Sequence, residues 1–431
     1  MFSVNRLFQF WGLFQLAAFA VASDGFVKVD FDVYQGLNLS AALSGYSHIS
    51  RRDGDGSFDV SLVNEKQFYV SKLQIGTPES EVSVLLDTGS SDLWVMSTKN
   101  PQCKDNGGSI DCEQYGTYNE TASSTFHDNK TDFSIQYVDQ TYAKGTWGTD
   151  TISLTEGLKL ENASFAVADD SDSNVGVFGI GFKGLESNPE QYSNLPITMK
   201  EQGFIKKLAY SLYLTSAESE SGSILFGAID HAKYEGELAT IDISKLNGDY
   251  AYLQIPLTSV SVEVNSNADN QPSDSSVPST GSSVRSFNNS SPQSISANNS
   301  QALLDSGTTL TYLQDSLIQQ VLEQADKNAS YSPLAGAYTV SCSLRLPGNS
   351  MTFRFNDEKD IKVPLSDLVL QTGQDPNTGK AICIFGALPS NDIILGDNFL
   401  RSSYSVFNLD DKTISIAQLK QTNDEDIEVI N

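Results

Sequence analysis

Residues 84–95 read VLLDTGSSDLWV, and residues 302–310 read ALLDSGTTL. In both stretches an aspartate follows two leucines and precedes a hydroxyl residue, a glycine and two further hydroxyl residues. A carboxylate at the end of an apolar strand is costly to bury unless it is hydrogen-bonded or used chemically. The two aspartates, Asp87 and Asp305, are 305 − 87 = 218 positions apart, about the length of one lobe. The repeat therefore predicts two related halves with one aspartate each.

A second pair of matching stretches supports this duplication. An apolar run ending in glycine follows each aspartate motif, VGVFGIGF (175–182) in the first half and DIILGDNFL (392–400) in the second. Short alternating runs such as KQFYVSKLQIG and TVSCSLRL predict strands, and long helical periodicities are scarce. We therefore expect an all-β chain whose site lies between its halves, where ligand clefts commonly form.

Two facing carboxyl groups suit hydrolysis. When the two groups lie close together, repulsion between two negative charges disfavours the ionisation of both, so the pair holds one proton. The ionised group can take a proton from a water molecule while the protonated group polarises a carbonyl. This chemistry needs no metal, cofactor or covalent nucleophile. The competing interpretation is two ordinary strand-to-turn junctions with solvated aspartates, which the matched apolar contexts disfavour.

Six residues next to the aspartates are expected to support the pair. The glycines let backbone N–H groups approach the carboxylates. One hydroxyl per motif can reach across the interface, and a second can hold an outer carboxylate oxygen. In that order they are Gly89 and Gly307, Thr88 and Ser306, and Ser90 and Thr308.

Three long stretches resemble the pepsin-type aspartic endopeptidases, over nearly all of residues 60–420. They are FYVSKLQIGTPESEVSVLLDTGSSDLWV (68–95), GSILFGAIDHAKYEGEL (222–238) and IILGDNFLRSSYSVFNLDDKTISIAQ (393–418). The resemblance implies a bilobal, all-β fold with the active site in the cleft between two related lobes. It also implies peptide or protein substrates.

The family covers its cleft with a hairpin flap that carries a tyrosine. The matching stretch is FSIQYVDQTYAKGTWGTD (133–150), which makes Tyr137 the flap tyrosine and Trp94 its expected hydrogen-bond partner. The chain departs from the family at Val138, where glycine is usual. The alternative is that Tyr137 is an ordinary strand aromatic, which its position before a hairpin disfavours.

Within the family the chain is most similar to the yapsins, fungal surface proteases that cut at basic residues. The similarity rests on a dibasic pair before the body, the KNPQCKDNGG loop and KGTWGTD after the flap. Asp139, two residues past the flap tyrosine, occupies a place associated with accepting lysine or arginine beside the scissile bond. A solvated turn aspartate is the equal alternative. We expect cleavage at mono- or paired-basic sites in acid; the alternatives are broad apolar specificity and a catalytically silent binding or inhibitor protein.

The chain divides into a leader and two lobes. An apolar stretch ends in Ala20-Val21-Ala22, which is typical of a secretory signal peptide rather than a membrane anchor. A Ser/Asn/Pro tract cannot bury enough surface to fold, and its strand-like flanks indicate an insertion within one lobe. The predicted segments are a signal peptide (1–22), a pro-segment (23–52) ending at Arg51 and Arg52, an N-terminal lobe with the flap (53–238), and a C-terminal lobe (239–431) with a disordered insertion (264–300).

The composition restricts the classes of partner that the protein is expected to bind. With 27 basic and 54 acidic residues the net charge is −27, which argues against nucleic acid, because phosphate binding needs a positive surface. No transmembrane segment and no metal site are expected, and a monomer is the default. A glycan-binding β-sandwich or a glycosidase would explain some features, but neither needs matched aspartate motifs from two halves.

Secretion would allow the cysteines to pair. Cys103 and Cys112 bracket a short loop, which predicts a local disulfide and leaves Cys342 with Cys383. We expect an extracellular protein, either free or associated with the cell wall, and see no GPI signal in its acidic C-terminal residues. The predicted N-glycosylation acceptors are Asn119, Asn129, Asn162, Asn288, Asn289, Asn298 and Asn328.

Overall fold

The computed structural model describes residues 22–23, 25–36, 66–137, 141–155, 157–188, 190–215, 221–265, 293–333, 335–375 and 378–431. These residues are mostly in β-strands, as predicted, and form several sheets. The signal peptide except Ala22, both arginines of the dibasic pair, and most of the predicted insertion lie outside the described residues.

The strands of the first half include long antiparallel ones and short central ones. In chain order they are β1 (Ala22–Ser23), β2 (Phe26–Gly36), β3 (Lys66–Ile75), β4 (Ser80–Asp87), β5 (Leu93–Met96), β6 (His127–Gln136), β7 (Tyr142–Thr155), β8 (Leu158–Ser171), β9 (Gly176–Gly179), β10 (Ala209–Tyr213), β11 (Ser221–Phe226), β12 (Ala228–Asp230) and β13 (Tyr234–Asp242). Helix α1 (Leu195–Glu201) begins after Asn194, whose side chain accepts a hydrogen bond from the Ile197 N–H.

The second half repeats this mixture. Its strands are β14 (Gln254–Glu263), β15 (Ile295–Leu304), β16 (Thr311–Gln314), β17 (Ser330–Ser332), β18 (Ala337–Val340), β19 (Ser350–Phe355), β20 (Lys359–Pro364), β21 (Val369–Gln374), β22 (Ala381–Phe385), β23 (Ala387–Ser390), β24 (Ile393–Leu395), β25 (Ser403–Asn408), β26 (Thr413–Leu419) and β27 (Ile427–Val429). Its helices are α2 (Asp315–Ala325), α3 (Leu365–Leu368) and α4 (Asp397–Leu400).

The internal repeat is visible in the sheet pairing. Strand β4, which ends at Asp87, pairs in parallel with β9 from the VGVFGIGF stretch. Strand β15, which ends just before Asp305, pairs in parallel with β24 from the DIILGDNFL stretch. Both β4 and β15 have a neighbouring strand on each side, and most of their apolar residues are buried in the core. Each half thus delivers one aspartate from a central strand.

One long sheet connects the two halves. Its order is β13-β26-β25-β10-β11-β2-β3-β4-β9-β5-β8-β7-β6, so β25 and β26 of the second half pair with strands of the first. The second half has its own sheets, β20-β19-β14-β15-β24-β16-β23 and β17-β18-β22-β21. The lobe boundary at 238/239 stays a prediction.

The described part of the predicted pro-segment is a strand of this long sheet. Strand β2 runs antiparallel to both β11 and β3, and buries Val27, Val29 and Phe31 in the core. At the other predicted boundary, strand β15 begins at Ile295, inside the range 264–300. Ile295 and Ala297 are buried at alternate positions, and this burial in the core stabilises an ordered strand there.

Both predicted cysteine pairs are present as disulfides. Cys103 and Cys112 join across 9 positions, and Cys342 and Cys383 across 41. Among the helices within the described ranges, none has the length and apolar character that crossing a bilayer requires.

Candidate active site

The two motif aspartates meet at the junction of the halves. Asp87 is 6% exposed and Asp305 is 8% exposed, and their side chains lie within hydrogen-bonding contact. The main chain fixes each of them to the second apolar stretch of its own half. The Ile180 N–H donates to the Asp87 carbonyl oxygen at 2.9 Å, and the Asp305 N–H donates to the Leu395 carbonyl oxygen at 3.0 Å.

The motif glycines leave room for this approach. A Cβ atom on Gly89 would lie 2.7 Å from Cγ of Asp305, and one on Gly307 would lie 2.4 Å from Oδ1 of Asp87. Each glycine N–H also donates to the aspartate of its own motif, at 2.7 Å to Asp87 Oδ1 and 2.9 Å to Asp305 Oδ1. Any larger residue at either position would push the carboxyl groups apart.

The first hydroxyl residues cross the interface reciprocally. Thr88 Oγ1 accepts from the Ser306 N–H at 2.9 Å, and Ser306 Oγ accepts from the Thr88 N–H at 3.2 Å. The Thr88 hydroxyl donates to the Leu304 carbonyl oxygen at 2.8 Å, and the Ser306 hydroxyl donates to that of Leu86 at 2.9 Å. These buried bonds bind the strand that carries one aspartate to the loop that carries the other.

The second hydroxyl residues bind the outer carboxylate oxygens. Ser90 Oγ donates to Asp87 Oδ2, and Thr308 Oγ1 donates to Asp305 Oδ2 at 2.6 Å. With the glycine N–H groups, every oxygen of the pair has a donor from its own motif. All six predicted supporting residues therefore lie at the carboxyl pair.

The environment favours a proton on the pair. Burial, and next the nearby Asp305 carboxylate, raise the pKa of Asp87 to about 8, although the hydrogen bond from Ser90 opposes the shift. Burial penalises a charged carboxylate, and two adjacent negative charges repel each other. An arrangement with one proton shared between two carboxyl groups can supply both an acid and a base.

A third aspartate that sequence reasoning missed lies next to the second motif, where its N–H donates to the Thr308 carbonyl oxygen at 2.8 Å. Asp397, the first residue of α4, is buried, and neither carboxylate oxygen has a hydrogen-bond partner among the described residues. Burial raises its pKa well above the ordinary value; Arg401 opposes this, and the Asp305 and Asp87 charges add to it. Its signal was the glycine-aspartate pair that ends the second apolar stretch.

Tyr137 and Trp94 are hydrogen-bonded to each other, and the role of Tyr137 in a flap stays a prediction. Tyr137 follows β6 and accepts a hydrogen bond at 2.8 Å from the indole Nε1–H of the buried Trp94. Its own N–H donates to the Thr141 carbonyl oxygen at 2.8 Å across the hairpin. Val138 and Asp139 lie outside the described residues.

A loop after β9 contacts the first aspartate motif through a residue that was not singled out from the sequence. The buried carboxylate of Asp92 accepts from the Ser187 N–H and from the Tyr192 hydroxyl, each at 2.9 Å. Glu186 accepts from the Tyr192 N–H at 2.9 Å, and burial raises its pKa to about 7. The final SD of DTGSSD was the sequence signal for this contact.

The predicted glycosylation acceptors differ in exposure where the structure describes them. Asn288 and Asn289, like Arg51 and Arg52, lie outside the described residues, and Asn119 is half-buried. The exposed acceptors are Asn129, Asn162, Asn298 and Asn328. Across the described ranges no three His, Cys, Asp or Glu side chains are grouped so that they could hold a metal ion.

Known proteins with this sequence pattern are aspartic proteases. A profile of eukaryotic aspartyl proteases matches residues 68–419. Secreted aspartic protease 7 of Candida albicans is 47% identical over 365 residues, which cover 84% of this chain and 62% of that protein. Yapsin-3 of Saccharomyces cerevisiae is 39% identical, over 86% of this chain and 70% of its own length. Secreted aspartic protease 9 of C. albicans is 33% identical, over 97% and 89%.

Proposed function

The chain belongs to the eukaryotic aspartyl protease family, and we propose that it is an endopeptidase that hydrolyses peptide bonds with water held between Asp87 and Asp305. The observation that carries this proposal is the pair of buried carboxyl groups joined by reciprocal hydrogen bonds of Thr88 and Ser306. Because the chain spans only 62% of the length of the first relative, the activity of the whole protein belongs to the proposal.

In the proposed reaction the pair holds one proton. The ionised carboxylate takes a proton from the water molecule as its oxygen attacks the scissile carbonyl carbon. The protonated carboxyl donates a hydrogen bond to the carbonyl oxygen, where negative charge develops. When the C–N bond breaks, a proton passes to the departing amine, and the pair returns to its singly protonated state.

We further propose a preference for lysine or arginine before the scissile bond. The similarity to yapsin-3 and the position of Asp139 two residues past the flap tyrosine support it. A carboxylate that is shielded from water beside the bound peptide would favour a cationic side chain over a neutral one.

A peptide panel that differs only in Lys, Arg, Leu or Phe at that position tests the preference. We expect Asp139→Asn to lower kcat/KM for the Lys and Arg peptides about tenfold or more. The values of kcat/KM for the Leu and Phe peptides should stay the same. Asp132→Asn is the matched control, because Asp132 is an exposed aspartate on flap strand β6. If kcat/KM fell equally for all four peptides, or for none of them, the proposed basic preference would be wrong. The proposal that the protein hydrolyses peptide bonds would be unaffected.

The proposal extends to the location of the protein. Two relatives are named secreted proteases, and the predicted signal peptide, the two disulfides and the exposed acceptor asparagines are consistent with export. We propose a glycosylated extracellular enzyme, free or held at the cell wall, that works in acid. Recovery of unglycosylated protein from the cytosol alone would contradict this proposal.

A further inference from the structure

The C-terminal segment, defined as residues 421–431, lies beyond the family match and is bound to the body of the molecule. Its strand β27 pairs antiparallel with β12, and the Ile430 N–H donates to the Gly227 carbonyl oxygen at 2.8 Å. The Asp426 N–H donates to Asp230 Oδ1 at 2.7 Å. The segment therefore has anchors that do not involve β2 (Phe26–Gly36), the leader strand, which belongs to the predicted pro-segment.

A buried lysine strengthens this attachment. Lys233 Nζ donates to the Thr422 carbonyl oxygen at 2.9 Å and lies 4.8 Å from the centre of the Tyr213 ring. The Tyr213 hydroxyl in turn accepts from the Thr422 N–H at 3.2 Å. A buried cation with a carbonyl and an aromatic face as partners fixes the start of the segment.

From this fixed position the segment touches the leader strand region at two points. Lys28 of β2 donates a hydrogen bond to the Glu425 carboxylate and forms an ion pair with it. Three residues earlier, a Cβ atom on Gly25 would lie 3.2 Å from Cγ1 of Val429. Strand β2 also pairs through its backbone with β11, with β3 and with the short β1, so these contacts come from a further element.

Two carboxylates, those of Glu425 and Asp30, share the Lys28 ammonium. Asp30 lies 3.7 Å from the Lys28 ammonium, on the same strand. The hydrogen bond from Lys28 lowers the pKa of Glu425, and the pKa of Lys28 is raised: burial lowers it, but Glu425 and Asp30 outweigh burial. Both partners of the pair therefore favour their charged forms.

We propose that the C-terminal segment retains the leader strand, with Glu425 bound to Lys28 as the contact that holds β2 in the long sheet. The strand then opens less often than pairing with β11 and β3 alone would allow. Two glutamates of the segment separate this role from simple attachment: Glu425 binds Lys28, whereas Glu428 binds His231 of the body at 2.8 Å and has no ion pair with the described part of β2.

Hydrogen exchange of the full chain tests the proposal. In Glu425→Gln we expect the amides of residues 27–31 to exchange about two- to five-fold faster, the range for an exposed ion pair. Glu428→Gln should leave those amides at the wild-type rate. In both variants the amides of residues 82–86 in β4 should be unchanged, which shows that the opening is local.

Substitutions that swap the charges of Lys28 and Glu425 provide a second test. Lys28→Glu should accelerate exchange as Glu425→Gln does, and the double variant Lys28→Glu with Glu425→Lys should restore slow exchange. Unchanged leader amides in Glu425→Gln would overturn the proposal. So would an equal acceleration in β4, which would mean a loss of global stability instead of a released strand.

Discussion

At the scale of single residues, the reciprocal bonds of Thr88 and Ser306 join the two halves. Replacing Thr88 by valine keeps the side-chain shape but removes the acceptor for the Ser306 N–H and the donor for the Leu304 carbonyl. Because each of the two unsatisfied buried groups costs about 1–3 kcal/mol, we expect the free energy of unfolding to fall by about 2–6 kcal/mol. Calorimetry should show a Tm lower by several degrees.

Thr155 offers a matched control for that substitution. Its hydroxyl is buried and has no hydrogen-bond partner among the described residues, so Thr155→Val removes a group that binds nothing there. We expect its Tm to match the wild type. Equal destabilisation by the two substitutions would show that the reciprocal bonds have no special part in joining the halves.

The residue scale also marks the limit of sequence reasoning about the site. Asp87 and Asp305 were predictable because identical chemistry recurs in matching apolar contexts. Asp397 was not, since a single glycine-aspartate pair gives no measure of burial. Only the fold brings Asp397 of α4 next to the second motif, where burial and the charges of Asp305 and Asp87 raise its pKa.

At the scale of elements, the flap hydrogen bond is expected to matter for catalysis. Tyr137→Phe leaves the buried indole N–H of Trp94 without its acceptor, so the hairpin that carries Tyr137 loses this anchor to strand β5. We expect kcat/KM to fall about tenfold, the equivalent of about 1.4 kcal/mol.

Tyr142→Phe is the control on the second flap strand, because its hydroxyl donates to Asp170 at 3.1 Å and does not bind Trp94. This variant should stay within about twofold of wild type in kcat/KM. If both variants lose activity alike, the Trp94 bond is not what positions the flap.

The loop that contacts Asp92 contains Glu186, whose raised pKa makes the stability of the protein depend on pH. The folded-state pKa of Glu186 is raised to about 7, so its contribution to stability is fully present below its unfolded pKa and is lost as pH rises through about 7. Glu186→Gln keeps an oxygen for the Tyr192 N–H without the charge. We expect the fall in Tm between pH 5 and pH 8 to be smaller in this variant by a few degrees.

Glu190→Gln controls for the loss of a charge from the same loop, because Glu190 is exposed. It should show the wild-type pH dependence of Tm. An identical pH profile for wild type and Glu186→Gln would contradict the assignment of this acid-stabilised contact to Glu186.

At the scale of the whole molecule, the two disulfides constrain different lengths of chain. In the chain-entropy account, cross-linking over 41 positions stabilises by about 4 kcal/mol, and over 9 positions by about 2.5 kcal/mol. The double variant Cys342→Ser with Cys383→Ser should therefore lower Tm more than Cys103→Ser with Cys112→Ser. The reverse order would contradict an entropic origin of the difference.

The sequence predicted the all-β halves and their junction, but not the position of the leader strand. Alternating residues such as Val27, Val29 and Phe31 indicate a strand without indicating its neighbours. Its partner β11 lies nearly 200 positions away in the chain, and such pairing leaves no local pattern. The attachment of β25 and β26 to the first-half strands was hidden for the same reason.

The central claim is that Asp87 and Asp305 hydrolyse peptide bonds while sharing one proton. The most direct test is kcat/KM for one fluorogenic peptide from pH 3 to pH 9, for wild type and Asp87→Asn. The raised pKa of Asp87 predicts activity that is present in acid and lost as pH rises toward about 8, where the shared proton is released. Asp87→Asn, with a retained circular dichroism spectrum, should be at least about a thousandfold slower than wild type at each acidic pH where wild type is active. Cleavage by Asp87→Asn at the wild-type rate would contradict the account.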